Sequence, residues 1–364
     1  MAVTSLGAGS SELLPLLGHV TRVPLRQLAA MLYRAPAILA DNLSRAAAEQ
    51  MSDVLRAAGL ETAVLAEDEA FEPGSDDHEA AIVVDDVAKM TEVLAQVVSV
   101  LGVDMPMAWR LACATPAVLL ANVSLATVEA LRRRFQPLGV GLDVCRPTAG
   151  RFDIYVGRCS ELARQAVLRV AEHAGISVSN HAVPTASGHT LLAENVEWRP
   201  AEAFWEGARR SSAPVRVLNR AYQRFDICLD AAPAAAPMLE FVANLIGAPV
   251  PVAARLIAQL PVVIRRNLRY AEMKPLLERV AALGGRAGAT LVALQEYSVA
   301  LGKMGDPAAA VRVLQYAGGL SAEAAQKAAR ARPSWSGGPY TSVQARWLRA
   351  ELQRTGTEAR ILRR

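Results

Sequence analysis

Apolar residues along this chain follow two spacings that alternate, and the alternation itself recurs. Short runs with strand-like spacing occur in AVTSL, AAIVVDD, FDIYVG, FDICLD and YSVALG. Stretches with apolar residues three or four positions apart follow each run, as Ala47, Met51 and Leu55 do, and this spacing predicts amphipathic helices. Each copy then continues with a further extended segment, a further helix and a last strand. The pattern predicts a repeated unit with the order β-α-α-β-α-β.

Prolines and glycines set the register of this repeat. Four prolines each precede an extended segment, and a glycine lies 23 residues after each of them. The pairs are Pro36 with Gly59, Pro116 with Gly139, Pro261 with Gly284, and Pro333 with Gly356. Glycine ends a helix readily because it adopts the left-handed conformation without strain. The units predicted from this register, called units 1 to 5, are residues 1–68, 80–148, 151–221, 224–292 and 296–364.

Two segments depart from the repeat. Unit 3 is the degenerate copy, because residues 176–189 have no helical pattern and are predicted to form a loop. The acidic segment EDEAFEPGSDDHE lies between units 1 and 2 and is predicted to be a linker able to act as a hinge. The links between the other units are short, which favours a rigid or semi-rigid array.

The last unit carries the clearest family resemblance. Its sequence YSVALGKMGDPAAAVRVLQYAGGLSAEAAQKAARARP, followed by a helix and ARILRR, resembles the C-terminal domain of the bacterial ribosomal stalk protein, ribosomal protein L seven/L twelve. The FDICLD unit with VAARLIAQLP is similar to it too, and the resemblance spans most of the chain. It implies an α/β (α+β) fold in which each unit is a three-stranded antiparallel sheet covered by helices on one face.

The resemblance does not carry the family's function across unchanged. The family recruits translation GTPases through basic residues on its first two helices. The positions that match its helix-one lysine are Pro15, Ala95, Glu240 and Arg312, and those that match its helix-two lysine include Ala29, Trp109 and Gln326. Only unit 5 keeps a basic residue there, and the family's dimerisation segment and hinge have no counterpart. An ordinary stalk role is therefore not expected.

Residues that replace those charges are candidates for partner binding. In unit 2 they are apolar, and Val97 accompanies the candidates Val98, Met105, Met107 and Trp109. Such a patch contacts either an external protein or a neighbouring unit. In unit 5 the candidates are basic, namely Arg312, Arg346 and Arg349.

Charge is distributed unevenly along the chain, although the formal net charge is only +4. Residues 1–80 carry a net charge of −7, and residues 296–364 carry +6. The asymmetry allows head-to-tail self-association, separate partners for the two ends, or ordinary variation of a solvated surface. The basic last unit also leaves open an RNA- or ribosome-associated role, although no reader motif or interleaved aromatic residues accompany the arginines.

Candidate chemistry is sparse. LGAGSS at residues 6–11 lacks the spacing of a nucleotide-binding loop, and the four cysteines form no close pair. His173, His181 and His189 lie in the irregular part of unit 3 at a spacing that is not a recurring metal-ligand pattern. We therefore predict no catalytic, cofactor or metal site. The N-terminus does not look like a signal peptide and no apolar run is long enough to span a bilayer, so a cytoplasmic location is expected.

These observations favour a non-catalytic scaffold or adaptor subunit built from tandem stalk-like domains. Protein partners in a larger assembly are expected, because the repeated framework is kept while the surface of each unit differs. A ribosome- or RNA-associated protein that binds through unit 5 is the alternative.

Overall fold

Five small sheets organise the molecule. The computed structural model describes residues 1–66, 68–179, 188–331 and 335–363. Within these ranges the chain forms five three-stranded antiparallel sheets, and the first strand of each unit lies in the middle of its sheet. Helices alternate with the strands in the predicted order, so the predicted fold class is confirmed.

The elements group by unit. Unit 1 contains β1 (Ala2–Ser5), α1 (Leu13–Thr21), α2 (Leu25–Tyr33), β2 (Ala37–Ile38), α3 (Arg45–Ala57) and β3 (Glu61–Ala63). Unit 2 contains β4 (His78–Val84), α4 (Met90–Leu101), α5 (Met105–Cys113), β5 (Ala117–Val123), α6 (Leu125–Phe135) and β6 (Val140–Cys145). Unit 3 contains β7 (Arg151–Val156), α7 (Glu161–His173), β8 (Thr190–Glu197), α8 (Trp198–Ala208) and β9 (Val215–Asn219). Unit 4 contains β10 (Arg224–Ala231), α9 (Ala236–Ile246), α10 (Val250–Ile257), β11 (Val262–Arg269), α11 (Tyr270–Ala282) and β12 (Arg286–Leu291). Unit 5 contains β13 (Tyr297–Leu301), α12 (Pro307–Tyr316), α13 (Ala322–Arg330), β14 (Ser336–Tyr340), α14 (Ser342–Arg354) and β15 (Ala359–Arg363).

Unit 3 differs from the others between α7 and β8. Residues 176–179 are irregular, as the sequence predicted, and no helix occurs in the part of this segment that the structure describes. The remainder of the predicted loop, including His181, lies outside the described residues. The register proline Pro333 of unit 5 lies outside them as well.

The third helix has a side-chain cap at its start in units 1, 2 and 5, and a glycine after its end in units 1, 2, 4 and 5. The side chains of Ser44, Ser124 and Thr341 cap α3, α6 and α14 by accepting hydrogen bonds from backbone N–H groups of the first turn. The predicted glycines follow these helices with left-handed backbones. Their φ angles are 92° at Gly59, 72° at Gly139, 77° at Gly284 and 75° at Gly356. The glycines read from the sequence therefore mark where the chain leaves the third helix in units 1, 2, 4 and 5.

A second left-handed position recurs that the sequence analysis missed. Asparagine occupies it in units 1 to 4, with φ between 53° and 58°, at Asn42, Asn122, Asn195 and Asn267. Each asparagine lies two residues before the N-cap of its unit's third helix. Asparagine tolerates this conformation better than other side-chain-bearing residues. The bend it makes takes the chain from the second strand into the helix.

The five units form two compact bodies, Met1–Pro147 and Thr148–Arg364. In the N-terminal body, the end of α2 lies between two elements of unit 2. The Tyr33 hydroxyl donates to the Val100 carbonyl at 2.7 Å, and the Ser124 N–H donates to the Tyr33 carbonyl at 3.0 Å. Burial raises the pKa of the Tyr33 hydroxyl, which therefore remains a donor at neutral pH. Unit 1 thus covers the start of α6.

The acidic linker packs on unit 1 and is not a free hinge. The Gly74 N–H donates to the Pro36 carbonyl at 2.8 Å, and Asp76 pairs with Arg34 at 3.2 Å. A side chain at Gly74 would meet the Arg34 carbonyl oxygen at 2.1 Å, so only glycine allows this close approach. The linker therefore holds to the edge of unit 1 within one compact body, which differs from the hinge expected from its composition.

In the C-terminal body, the sheet of unit 3 packs against unit 4. Alternate residues of β7, such as Ile154, face α7 and the core of unit 3. Tyr155 faces the other way, away from the helices, and we call this side of a sheet its open face. Tyr155 and Leu218 belong to the same apolar cluster as Phe225 and Leu268 of unit 4. The open face of unit 3 is therefore buried by the following unit.

A carboxylate on this open face anchors the junction of units 3 and 4. Asp153 accepts hydrogen bonds from the Asn195 N–H, from the Arg220 guanidinium and from the Gln223 amide, each at 2.8 Å. The Arg220 guanidinium also lies 4.8 Å from the centre of the Tyr270 ring at the start of α11. Arg220 at the end of unit 3 thus ties the open face of that unit to the third helix of unit 4.

The junction of units 4 and 5 repeats this arrangement around a second carboxylate, Asp226. Asp226 occupies the position of Asp153 and accepts a hydrogen bond from the Asn267 N–H at 3.1 Å, while Arg266 lies 3.9 Å away. Burial raises the pKa of Asp226, and the charges of Arg266, Arg346 and Arg363 oppose the shift without cancelling it. The start of α14 is therefore again the element next to the preceding sheet.

Candidate functional site

The apolar candidates of unit 2 lie on a bent pair of helices. α5 turns through 111° from the helical segment that ends with α4. Met105 and Met107 at the start of α5 are 48% and 37% exposed, whereas Ala108 and Ala112 face the core. Asp104 caps α5 by accepting the Met107 N–H at 2.8 Å. The cap fixes the first turn of α5, and this turn holds two thioether side chains at the surface.

The other apolar candidates are less exposed than the sequence suggested. Val98 and Trp109 are half-buried, and Val97 is fully buried in the core of α4. The assignment of Val97 to the surface patch was wrong, because α4 presents Val93, Val97 and Val100 to the core. The Trp109 indole N–H is buried without an acceptor among the described residues.

The basic candidates of unit 5 do not form one surface. Arg312 on α12 and Arg349 on α14 are exposed. α12 and α14 pack through Tyr316 and Trp347, whose ring centres are 5.7 Å apart. Arg349 lies two residues beyond Trp347, which places it on the opposite side of α14 from this contact. The two exposed arginines therefore point in different directions from the α12–α14 seam.

Arg346 has a structural role at the junction of units 4 and 5. It is half-buried, its Nε donates to the Ser342 carbonyl at 3.3 Å, and its charge acts on Asp226. The charge of Arg346 opposes the rise that burial causes in the pKa of Asp226, and the helical pattern of α14 does not reveal this relation. Arg346 is therefore part of a contact within the chain.

The histidines of unit 3 do not converge in the described structure. His173 ends α7, and its Nδ1–H donates to the Arg169 carbonyl at 2.7 Å. His189 lies near Gly157, just before α7, since a side chain at Gly157 would come within 3.4 Å of His189 Nε2. A helix of this length separates the two by about 20 Å. Among the residues that the structure describes, no group of three or more His, Cys, Asp or Glu side chains is placed to hold a metal ion.

A cleft of about 360 Å³ opens at the start of α7. Its apolar wall includes Val156, Val167, Val178 and Leu192, and its polar rim includes Arg158, Glu161 and Arg164. Gln165 donates to the Glu161 carboxylate at 2.7 Å, so part of the rim is already bonded within α7. The cleft has the size of a small-molecule site, but its arginines are solvent-exposed.

The four cysteines, Cys113, Cys145, Cys159 and Cys228, are not joined in disulfides. Cys113 at the end of α5 is buried, and burial raises its pKa to about 12. A thiol with so high a pKa is a poor nucleophile at neutral pH because almost none of it is thiolate. Cys113 therefore acts as a small apolar residue of the core.

No single helix in the described part of the chain has both the length and the apolar character required to cross a membrane. Two bent helix pairs meet the length and composition test only when their members are taken together, Val87–Leu101 with Met105–Cys113 and Ala236–Ile246 with Val250–Ile257. Many of their apolar residues, such as Val93 and Val242, are buried in the cores of units 2 and 4.

Comparison of the chain with protein-family models, with curated proteins and with solved structures finds no match in any of the three.

Proposed function

We propose that this chain is a non-catalytic scaffold or adaptor subunit that binds protein partners within a larger assembly in the cytoplasm. The observation that supports this most is the exposed first turn of α5 with Met105 and Met107. Methionine side chains are flexible and polarizable, and exposed methionines recur on surfaces that bind helices or peptides. Four cysteines that form no disulfide are in keeping with a reducing compartment.

The proposal includes a relation of each unit to the ribosomal stalk C-terminal domain. It is supported by the central position of the first strand in every sheet and by the helices packed on one face. The GTPase-recruiting role of the stalk is not part of the proposal, because three of the four matched helix-one positions are Pro15, Ala95 and Glu240. A shared framework with unlike surfaces fits several different contacts.

Affinity isolation of the tagged chain from its native host tests the proposal. We expect a stoichiometric protein partner with the wild-type chain, and loss of that partner in the variant Met105→Glu/Met107→Glu. Leu162→Glu, at an exposed apolar position on α7, is the matched control and should retain the partner. Equal recovery from all three chains would contradict a role for the α5 surface.

The RNA-associated alternative predicts a different result with the same purified chain. RNA binding through unit 5 would weaken steeply between low and moderate salt, since each phosphate contact releases counterions. Arg312→Gln and Arg349→Gln would each reduce that salt dependence. Binding with this behaviour, together with no protein partner, would replace the scaffold proposal.

A further inference from the structure

Two exposed leucines occupy positions that are buried in other units of the chain. Leu43 immediately precedes the N-cap of α3, as Leu268 precedes the N-cap of α11. Leu362 pairs with Ser298 in the sheet of unit 5, as Leu218 pairs with Asp153 in the sheet of unit 3. Leu43 and Leu362 are therefore the counterparts of Leu268 and Leu218.

Leu218 and Leu268 are buried, whereas their counterparts Leu362 and Leu43 are exposed. Leu218 and Leu268 are both 7% exposed and belong to the one apolar cluster that joins units 3 and 4. Leu43 is 40% exposed and Leu362 is 46% exposed. Leu43 and Leu362 are therefore uncovered at positions that this cluster covers in units 3 and 4.

The other units show that the residue before the third helix is normally covered. Its exposure is 0% at Val123, 9% at Val196, 7% at Leu268 and 6% at Tyr340. In units 2, 4 and 5, groups of the preceding unit lie at the start of the third helix, as the Tyr33 carbonyl does at Ser124. An uncovered Leu43 is therefore the exception in this repeat.

The surroundings of Leu43 and Leu362 carry opposite charges. Arg360 lies on the same side of β15 as Leu362, because alternate residues of a strand face the same way, and it is exposed. Asp41, two residues before Leu43, is exposed too. The sequence around each leucine has the matching sign, −7 for residues 1–80 and +6 for residues 296–364. Opposite charges favour contact between unlike ends and disfavour contact between like ends.

We propose that two copies of this chain associate head to tail, with the open face of unit 5 of one copy docked on the start of α3 in unit 1 of the other. Leu362 packs against Leu43, and Arg360 faces Asp41. The contact brings together, between two molecules, the positions that Leu218 and Leu268 occupy in units 3 and 4. Because it joins unlike surfaces, it propagates into a chain of molecules or closes into a ring. The inference goes beyond the proposed scaffold function, and its test requires only the purified chain.

Analytical ultracentrifugation of full-length variants tests the contact. The wild-type chain should show a mass that increases with concentration above the monomer mass of 38.8 kDa. Leu43→Glu and Leu362→Glu should each remain monomeric, because each loses one half of every contact. The matched controls Val54→Glu on α3 and Leu162→Glu on α7 are exposed apolar positions outside the contact and should associate like the wild type.

Mixing the two variants gives the decisive result. Leu43→Glu keeps its unit 5 face and Leu362→Glu keeps its unit 1 face, so an equimolar mixture should form a 1:1 dimer and nothing larger. Formation of that dimer also shows that both variants are folded, and Leu43→Ser with Leu362→Ser should behave in the same way. A monomeric wild type, association that the controls also lose, or a mixture that stays monomeric would each overturn the proposal.

Discussion

Asp153 and Asp226 occupy the same position in neighbouring units, yet removal of their charges should have opposite effects on stability. Three donors converge on Asp153 at 2.8 Å, whereas the Asn267 N–H donates to Asp226 at 3.1 Å, Arg266 lies 3.9 Å from it, and burial raises its pKa. The perturbation that compares them is the isosteric pair Asp153→Asn and Asp226→Asn. Each variant keeps the volume of the side chain and removes only its charge and half of its accepting capacity.

The loss of stability expected for Asp153→Asn follows from the partners of the Asp153 carboxylate. An asparagine there presents an amide NH₂ to donors from Asn195, Arg220 and Gln223, so at least one buried donor loses its acceptor. Leaving a buried charge or donor unpaired costs about 3 kcal/mol. Arg220 keeps Glu194 at 3.3 Å and the Tyr270 ring, which places the expected loss at the lower end of the range for broken buried pairs. For a body of this size the melting temperature should fall by about 6–12 °C.

For Asp226→Asn, the expected change in stability has the opposite sign. Burial raises its folded-state pKa, so the folded protein binds that proton more tightly than the unfolded chain does. Wild-type stability therefore declines as pH rises from the unfolded value near 3.9 to the raised folded value. The stability of Asp226→Asn should not decline with pH in this way, because asparagine does not titrate. At pH 7 the variant should be as stable as the wild type or more so, and its advantage should disappear below the unfolded pKa.

Urea denaturation followed by tryptophan fluorescence measures both effects. Four of the five tryptophans, Trp198, Trp205, Trp335 and Trp347, lie in the C-terminal body, so the signal reports mainly on that body. Equal slopes against urea confirm that the unfolded and folded states are unchanged in compactness. An Asp226→Asn loss as large as that of Asp153→Asn at pH 7 would refute the reasoning, as would an Asp153→Asn variant of wild-type stability.

Three further perturbations test other parts of the fold. Gly59→Ala should destabilise the N-terminal body by more than Gly139→Ala, because the new Cβ lies 2.9 Å from backbone atoms at Gly59 and meets nothing within 4 Å at Gly139. Thermal unfolding of the two variants measures the difference, and equal losses of stability would contradict this expectation. Trp347→Ala removes a fully buried ring and should lower unfolding free energy by about 3–5 kcal/mol in urea titrations, whereas a loss below about 1 kcal/mol would argue against its burial. Cys113 should react with a disulfide reagent only after denaturant is added, because its thiol is buried and has a pKa of about 12. Rapid labelling of Cys113 in the native chain would contradict this expectation.

Much of the fold could be predicted because it depends on local patterns. The alternation of strand and helix spacing, together with the glycines after the third helices, placed the elements of all five units in the right order. The positions of the left-handed asparagines could have been predicted in the same way. Asn42, Asn122, Asn195 and Asn267 recur at the spacing of the repeat, but only proline and glycine were used to set the register. Local conformation is encoded within a few residues, so such signals are present in a single sequence.

The surfaces could not be predicted in the same way. Whether Val97 or Arg346 is exposed depends on which face of a helix meets a neighbour, and that neighbour is distant in sequence. The acidic linker illustrates the same limit, because its composition is that of a solvated hinge while Gly74 and Asp76 bond to unit 1. Contacts between units are long-range and differ from one junction to the next, so one repeat gives no rule for another.

The central strands show why the last sheet should bind a partner of a different character. Units 3 and 4 place Asp153 and Asp226 on their open faces, where Arg220 at the end of unit 3 bonds to Asp153 and the charge of Arg346 in unit 5 acts on Asp226. Unit 5 has Ser298 at this position, with the exposed arginine Arg360 on the neighbouring strand. Its face therefore lacks the buried carboxylate that requires a basic partner and presents a cation instead. A partner with an exposed apolar residue beside a carboxylate complements it, and the segment Asp41 to Leu43 of unit 1 provides that combination.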